Sequence, residues 1–396
     1  MWSTFLNQLH ILLLSFYYPP DIGPGSLRAK SIIDALSEEG PSDLKIDVLT
    51  TMPNRYYSYK ILAKSLEQNE KLILHRIKVP KHKNKMLDQI RSYNSFLFSV
   101  LKLIKHKKYD IVVATSSRLI TACLGAYIAN KKNSKLYLDI RDLFADTMKS
   151  LLKKSIFRFF LPIIYKLEKW VFNSASKINV VSGGFLNYFE KYYPGIKPTV
   201  YTNGIDDYFL NYKFSRNIKN KKFKILYAGN IGDGQGLEKI IPEVASKNTN
   251  FKFKIIGDGS SRKILEKNEL IKKSNNVVIK DPLSRDMLVK EYEKADILLI
   301  HLNNHLAFHR VLPSKIFEYA ATNKPILAGV SGYAAKFLKE QLEGIEIFDP
   351  CDPESMCKSL KKIIEHPKLI NRDKFFKKYK RKTIMQKLSK DILLLF

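Results

Sequence analysis

Two successive series of short Ile-, Val- and Leu-rich runs, each run followed by a longer helical pattern, leave this chain few folds to choose from. In the first half the runs are Leu9–Phe16, Lys45–Thr50, Tyr109–Thr115, Lys135–Ile140 and Lys177–Ser182. In the second they are Phe223–Gly229, Phe251–Gly257, Asn276–Lys280, Asp296–Ile300 and Pro325–Gly329. Continuous apolar strands separated by helices predict a parallel sheet covered on both faces. Two series of similar size predict two doubly wound α/β domains in place of one large sheet. A chain of 396 residues is long enough for both. The polar stretch Asp206–Lys222, ending in lysines before a new strand, marks the boundary. The expected division is therefore 1–205, 206–375 and a C-terminal helix, 376–396, that returns to the first domain.

The chain carries 68 Lys and Arg against 38 Asp and Glu, a net charge of +30. The excess is spread over both halves, which points to a composition bias or to an anionic partner: a membrane surface, a nucleoside diphosphate or nucleic acid. A nucleic-acid-binding protein should gather its basic residues with aromatics on one face. The even spread argues against that, and no nucleic-acid partner is expected. The three cysteines, Cys123, Cys351 and Cys357, have no metal-like spacing and fit a reducing compartment. Met1–Leu14 lacks the features of a signal peptide and is too short to span a bilayer; it reads as a buried strand. Two helical stripes suit an anionic membrane surface. One is Leu152, Ile156, Phe159, Phe160, Ile163, Ile164, Leu167, Trp170 and Val171, flanked by Lys153, Lys154, Arg158, Lys166 and Lys169. The other is Met86, Ile90, Tyr93, Leu97, Leu101 and Ile104, after the lysine-rich 78–85. Either packing on the sheet or resting on a leaflet accounts for such stripes, and packing fits Leu167–Ser176 better. The expected location is the cytoplasm, peripheral on the inner face of the membrane.

In doubly wound sheets ligands bind at the carboxyl ends of strands, and several loops there are unusual. The first strand leads into Tyr18-Pro-Pro-Asp-Ile-Gly23-Pro-Gly25-Ser26, before a helical pattern from Leu27. Gly23, Gly25 and Ser26 would let backbone amides at a helix start approach a phosphate or a sugar. Asp139, Arg141 and Asp142, at the end of the fifth strand, would either face a cleft between the domains or form a local salt bridge. In the second half, Gly229, Gly232, Gly234 and Gly236 crowd one loop. Four glycines in eight residues suggest a close approach to an anion, without the Gly-x-Gly-x-x-Gly spacing of a nicotinamide site. Gly257-Asp-Gly259 forms a third glycine loop. Pro313, Ser314 and Lys315 open a helical pattern, placing a hydroxyl, a cation and free amides where a diphosphate would be gripped. Glu318, one turn on, is placed to accept ribose hydroxyls. His301, His305 and His309 fall four apart, but Asn303 and Asn304 break a helix there, and no metal is expected.

Asn203-Gly-Ile-Asp206, Gly257-Asp-Gly259 and Glu318-Tyr-Ala-Ala with Lys324-Pro-Ile resemble the retaining family-4 glycosyltransferases of the GT-B fold, over nearly the whole chain. More narrowly, Gly229-Asn-Ile-Gly232, Gln235-Gly-Leu237 and Pro313-Ser-Lys-x-Phe-Glu318 are similar to bacterial surface-polysaccharide transferases of the N-acetyl-fucosamine transferase type. The resemblance implies two Rossmann-like domains facing a cleft and a nucleotide-sugar donor, UDP-sugar foremost, with no other cofactor. It implies donor binding by Gly229, Asn230, Gly232, Gln235, Gly257, Gly259, Leu312, Pro313, Ser314, Lys315 and Glu318. The acceptor or phosphate loop would be Gly23, Gly25, Ser26 and Arg141. The acceptor would be lipid-linked or a saccharide, in capsule or O-antigen synthesis, and the sugar an N-acetylated 6-deoxyhexosamine. Where the family has a first glutamate, eight positions before Glu318, this chain has Arg310. Where it has an Arg and a Lys in the first glycine loop of the second domain, this chain has Asn230 and Gln235. Lys315, Arg310 and Asp142 are the expected catalytic residues, in a metal-independent retaining transfer. A sugar-nucleotide 2-epimerase on the same fold is the alternative.

Overall fold

The computed structural model describes residues 8–55, 61–80, 86–116, 118–151, 159–214, 223–366 and 370–396. The chain divides into two compact units, Met1–Asn203 with Lys382–Phe396, and Gly204–Arg381.

The first unit is built on β1 (His10–Leu14), β2 (Lys45–Thr51), β3 (Leu66–Gln68), β4 (Leu72–Ile77), β5 (Ile111–Ser116), β6 (Lys135–Ile140), β7 (Lys177–Val180) and β8 (Thr199–Val200). Their order is β3-β4-β2-β1-β5-β6-β7-β8. All pairings are parallel except the antiparallel β3–β4 edge. Ile11–Leu14 of β1 are fully buried, as a central strand covered on both faces requires. β4 reads poorly from sequence because His75 and Arg76 interrupt its apolar run. Arg76 is nonetheless buried, donating to the Pro19 and Lys64 carbonyls at 2.7 and 2.9 Å and pairing with Glu67. The closing helix, Arg381–Leu393, adds Met385, Leu388 and Ile392 to the core around β1 and β2.

The second unit holds β9 (Phe223–Ala228), β10 (Phe251–Ile256), β11 (Val277–Lys280), β12 (Ile297–His301), β13 (Ile326–Gly329) and β14 (Ile345–Phe348), all parallel, in the order β11-β10-β9-β12-β13-β14. β12 shows how the sheet separates two cores. Leu298 and Ile300 join one cluster, and Ile297 and Leu299 join the other. At the start of the unit Gly204 adopts φ +64, a left-handed conformation suited to glycine. Ile205 then forms a parallel bridge with Lys380. Asp206 caps the Tyr208 amide at 3.0 Å and pairs with Arg285 at 2.6 Å and Arg381 at 2.7 Å. Asn203-Gly-Ile-Asp206 therefore shapes a chain joint. The bridge at Lys380 also separates the helix Asp373–Tyr379 from Arg381–Leu393, where the sequence pattern runs unbroken.

Among the described residues no helix is long and apolar enough to cross a membrane. The helix Leu161–Ser174 divides the apolar stripe seen in the sequence into two faces. Leu161, Val171 and Phe172 are buried with Glu168, whose carboxylate accepts from Tyr188, from Tyr193 at 3.0 Å and from the Ala145 amide at 3.1 Å. Phe159, Phe160, Ile163, Leu167 and Trp170 stay in solvent, 83, 55, 54, 41 and 39% exposed. Leu167 and Trp170 thus belong to the outer face, against the expectation that the stretch from Leu167 packs on the sheet. In the helix Met86–Leu103, Tyr93, Phe96 and Val100 are core, with Ile104 just beyond it, while Ile90, Phe98 and Leu103 are exposed. That second stripe is therefore mostly packing. Leu152, Lys153, Lys154, Ile156, Arg158, Lys81, Lys83 and Lys85 lie outside the described residues.

Candidate donor site and the loops around it

In the second unit the chain order reverses between β9 and β12, and the crevice of such a sheet opens at the carboxyl ends of those two strands. Both ends carry unusual loops. After β9, the Gly229–Gly236 stretch is held from several sides. The Tyr227 hydroxyl donates to the Asn230 carbonyl at 2.6 Å. Asn230 Nδ2 donates to Gln235 Oε1 at 2.7 Å, so these two side chains brace each other. From the end of β12, the Asn303 amide donates to the Gly234 carbonyl at 2.9 Å and Asn303 Nδ2 to the Asp233 carbonyl at 2.8 Å. Gly236, at φ +58, turns the loop toward Leu237 in a left-handed conformation.

Gly257 and Gly259 are each pressed against a neighbouring loop. A Cβ on Gly257 would stand 1.8 Å from the Gly229 carbonyl oxygen, and one on Gly259 2.5 Å from that of Ile231. The close approach they permit is between two loops of the protein, sealed by Ile231 N–H to Asp258 O and Ser261 N–H to Ile231 O, both at 2.9 Å.

His301 fixes the other side. Its Nδ1 meets the Gln235 carbonyl, and its Nε2 accepts the Cys351 amide at 2.9 Å. Those partners require a neutral ring with the proton on Nδ1. Burial lowers its pKa to about 4. His305 lies 3.7 Å from Asp233, and His309 is bonded to Asn304 at 3.0 Å. The three histidines thus look in different directions, and the described residues contain no cluster suited to a metal ion.

Beyond β12, Arg310 ends a short helical turn, Leu306–Arg310, and Leu312 is buried before Pro313 and Ser314 lead into the helix Lys315–Ala320. Lys315 Nζ donates to Glu318 Oε2 at 2.6 Å and to the Tyr292 hydroxyl at 2.9 Å, and Tyr292 donates to the same Oε2 at 2.9 Å. The cation and the carboxylate that sequence assigned to separate groups of a ligand are paired here. Among the described residues Glu318 Oε1 has no hydrogen-bond partner, and Lys315 retains one donor. The adjacent Tyr319 hydroxyl accepts the Ala228 amide at 3.0 Å, tying this helix to the last residue of β9. Tyr292, Tyr319, His301 and Asn303 were not legible as site residues. The tyrosines occupy core positions of helical patterns, and the other two were overshadowed by the histidine spacing.

In the first unit Gly23, Gly25 and Ser26 begin the helix Pro24–Glu39. The Ser26 hydroxyl is buried and has no hydrogen-bond partner among the described residues. Arg28, one residue past Leu27, is buried and grips Asp139 through Nε and Nη2, both at 2.8 Å. Thr115 and Asn179 complete that carboxylate at 2.8 and 2.7 Å. Asp139 is therefore an internal strut, held in a local salt bridge and not facing a cleft, because its carboxylate is fully buried and paired with Arg28. Asp142, three residues on, is half-buried. Desolvation raises its pKa to about 6 although Arg141, Arg55 and Arg118 pull it down.

Residues 209–383 match the family model of glycosyl transferases group 1. No curated protein matches the sequence. Among solved structures, the chain is similar to Anabaena HepE, crystallised with UDP-glucose, at 14% identity and TM-score 0.68, covering 98% of this chain and 100% of that one. It is similar to WaaG, a glycosyltransferase involved in lipopolysaccharide biosynthesis, at 16% identity and TM-score 0.65, covering 96% and 99%. A putative UDP-N-acetylglucosamine 2-epimerase from Listeria monocytogenes also shares the fold, at 10% identity and TM-score 0.53, covering 96% and 95%. Residues 209–383 thus match the glycosyl transferases group 1 family, and the two parallel-sheet domains share the fold of GT-B glycosyltransferase structures.

Proposed function

We propose that this chain is a glycosyltransferase whose second unit binds a UDP-sugar and whose first unit binds the acceptor. The observation that carries the reading is the Lys315–Glu318–Tyr292 arrangement beside the glycine loop, in the segment matched by the transferase family. The family match also favours transfer over epimerisation, which the fold alone does not. In this reading Glu318 Oε1 receives ribose hydroxyls, while Lys315 and the amides near Pro313 and Ser314 hold the diphosphate. Negative charge grows on the leaving diphosphate during transfer, so catalysis rests on fixed positive charge and an oriented acceptor hydroxyl. Lys315 and Arg310 supply the charge, Gly229–Gly236 shapes the floor, and Asp142 contacts the acceptor. We assign the reaction, following the family resemblance, as metal-independent and retaining, with an N-acetylated 6-deoxyhexosamine donor used in capsule or O-antigen synthesis.

Glu318→Gln should weaken UDP binding, measured by calorimetry, by about 1–3 kcal/mol, the scale of a hydrogen bond to a charged group. Equal affinities would remove Glu318 from the site. Lys315→Ala should lower turnover more than it lowers uridine binding, because the charge acts on the diphosphate. A chelator should leave turnover unchanged, and loss of transfer in EDTA restored by one metal would overturn the assignment.

The outer face of Leu161–Ser174 supports a peripheral membrane role in the cytoplasm. Phe159, Phe160, Ile163, Leu167 and Trp170 form a stripe beside the exposed Lys166 and Lys169. A contiguous exposed apolar surface marks an interaction site, and each lysine near an anionic surface adds about 1 kcal/mol. Of the lipid-linked and saccharide acceptors that the resemblance implies, a lipid-linked one would be met there. Flotation with anionic vesicles at low salt should recover the wild type and fall at least tenfold for Phe159→Ser with Phe160→Ser and Ile163→Ser. These side chains lie mostly outside the core, so stability should hold. Equal recovery of both proteins would rule out this face.

A further inference from the structure

Strands inside a doubly wound parallel sheet are apolar on both faces, and β10 breaks that rule. It reads Phe251-Lys-Phe-Lys-Ile-Ile256, an alternation in which Phe251, Phe253 and Ile255 join one core while Lys252 and Lys254 fall on the other face. The helix Arg285–Lys294 covers that second face over β9 and the end of β10, where Val289 and Tyr292 pack with Leu226, Ala228 and Ile256. Beside the helix the sheet stays open, and Val278 of β11 is 48% exposed. The result is a cavity of about 390 Å³.

Five lysines line it: Lys224 of β9, Lys252 and Lys254 of β10, Lys280 of β11 and Lys294 of the covering helix. Register sets their spacing. Lys252 stands beside Lys224, and Lys280 stands beside Ile256, two residues beyond Lys254. One carboxylate of the lining, Glu291, pairs with Lys254 and lies 3.8 Å from Lys294. Asp296, nearby, accepts the Lys224 backbone amide at 2.8 Å. Among the described residues the ammonium groups of Lys224, Lys252 and Lys280 have no ion-pair partner. Like charges side by side on a sheet are destabilising. Lysine on an edge strand guards against unwanted pairing, which accounts for Lys280 on β11. It does not account for Lys252 and Lys224, on the next two strands inward.

The lining narrows the ligand. Lysine is a compact point charge on a flexible stem, so separated ammonium groups suit separated anionic groups. The volume is that of a small-molecule site. The one aromatic residue of the lining is Phe253, whose ring belongs to the opposite core, so a nucleobase would find nothing to stack on. Asn276 fixes the wall at the start of β11, its Nδ2 donating to the Ala245, Asn248 and Phe251 carbonyls at 3.1, 3.1 and 3.0 Å. None of the residues assigned above to the donor lines the cavity.

We propose that this cavity is a second anion site of the second unit, taking a small ligand that carries several separated negative groups and no nucleobase. The site stands independently of the transferase reading.

Tripolyphosphate titrated calorimetrically into the full chain, at low salt and with UDP saturating, should bind. Citrate in its place separates carboxylate from phosphate recognition, and binding of either through these lysines supports the site. Lys252→Gln with Lys280→Gln, both exposed, should weaken binding about tenfold or more, the scale of losing a hydrogen bond to a charged group. UDP affinity should be unchanged, and the melting temperature without ligand should not fall. Lys263→Gln with Lys267→Gln removes the same charge from the helix Arg262–Lys267, outside the cavity, and should leave affinity unchanged. Val278→Glu keeps all five lysines but sets a carboxylate beside Lys254, so the unliganded protein should melt higher and lose the anion. Equal weakening by the Lys263 and Lys267 changes would reduce the effect to general charge and overturn the site. So would unaltered binding in the Lys252 and Lys280 variant, or no binding of either anion at millimolar concentration.

Discussion

Arg28→Met should cost the first unit about 3–5 kcal/mol of stability, because it leaves a carboxylate buried without its cation. Asp139 is fully buried and has four side-chain bonds, two from Arg28 and one each from Thr115 and Asn179. Arg28 also donates to the carbonyls of Tyr201 and Thr202, both at 2.9 Å, so its loss orphans two further acceptors. For a unit of this size the melting temperature should fall by about 6–20 °C. Removing both charges, in Arg28→Met with Asp139→Leu, should recover part of the loss, since the uncompensated charge is then gone. A single-variant loss below about 1 kcal/mol would show that the pair does not anchor this helix to the sheet.

Acidification should destabilise the second unit through His301. Its pKa is lowered from 6.5 to about 4 by burial, so the folded unit keeps the ring neutral while the unfolded chain takes up a proton below 6.5. The sign follows from proton uptake. Stability is fully present above pH 6.5, falls as pH drops through the window, and levels off below pH 4. The full loss is about 3 kcal/mol at 1.36 kcal/mol per pKa unit. Protonation would also turn Nε2 from an acceptor into a donor facing the Cys351 amide. His301→Gln should be less stable than wild type at pH 7.5 but lose less on acidification. Hydrogen exchange in β9 and β12 at pH 7.5 and 4.5 measures both. Equal acid sensitivity of the two proteins would move the effect to other groups.

Much of this architecture is readable from periodicity, because central parallel strands are apolar on both faces. All ten apolar runs overlap strands β1, β2, β5, β6, β7 and β9–β13. Runs that carry charge were missed: β4 through His75 and Arg76, and β14 through Glu346. Their charged side chains are tolerated because Arg76 is paired with Glu67 and two carbonyls and β14 is an edge strand. At the candidate site, sequence brought the glycine loop and the Pro313–Glu318 turn into view, since helix starts and glycine clusters are local signals. It did not reveal that Lys315 pairs with Glu318, that Asn230 and Gln235 brace each other, or that Gly257 and Gly259 serve loop packing. Each of those depends on which strands are neighbours.

Thermal unfolding of the full chain titrated with UDP, GDP and ADP tests the donor assignment most directly. Binding to the folded state raises the melting temperature by mass action. UDP should produce a concentration-dependent rise that shrinks in Glu318→Gln. A melting curve that none of the three nucleotides moves, at millimolar concentration, would contradict a nucleotide-sugar site in the second unit.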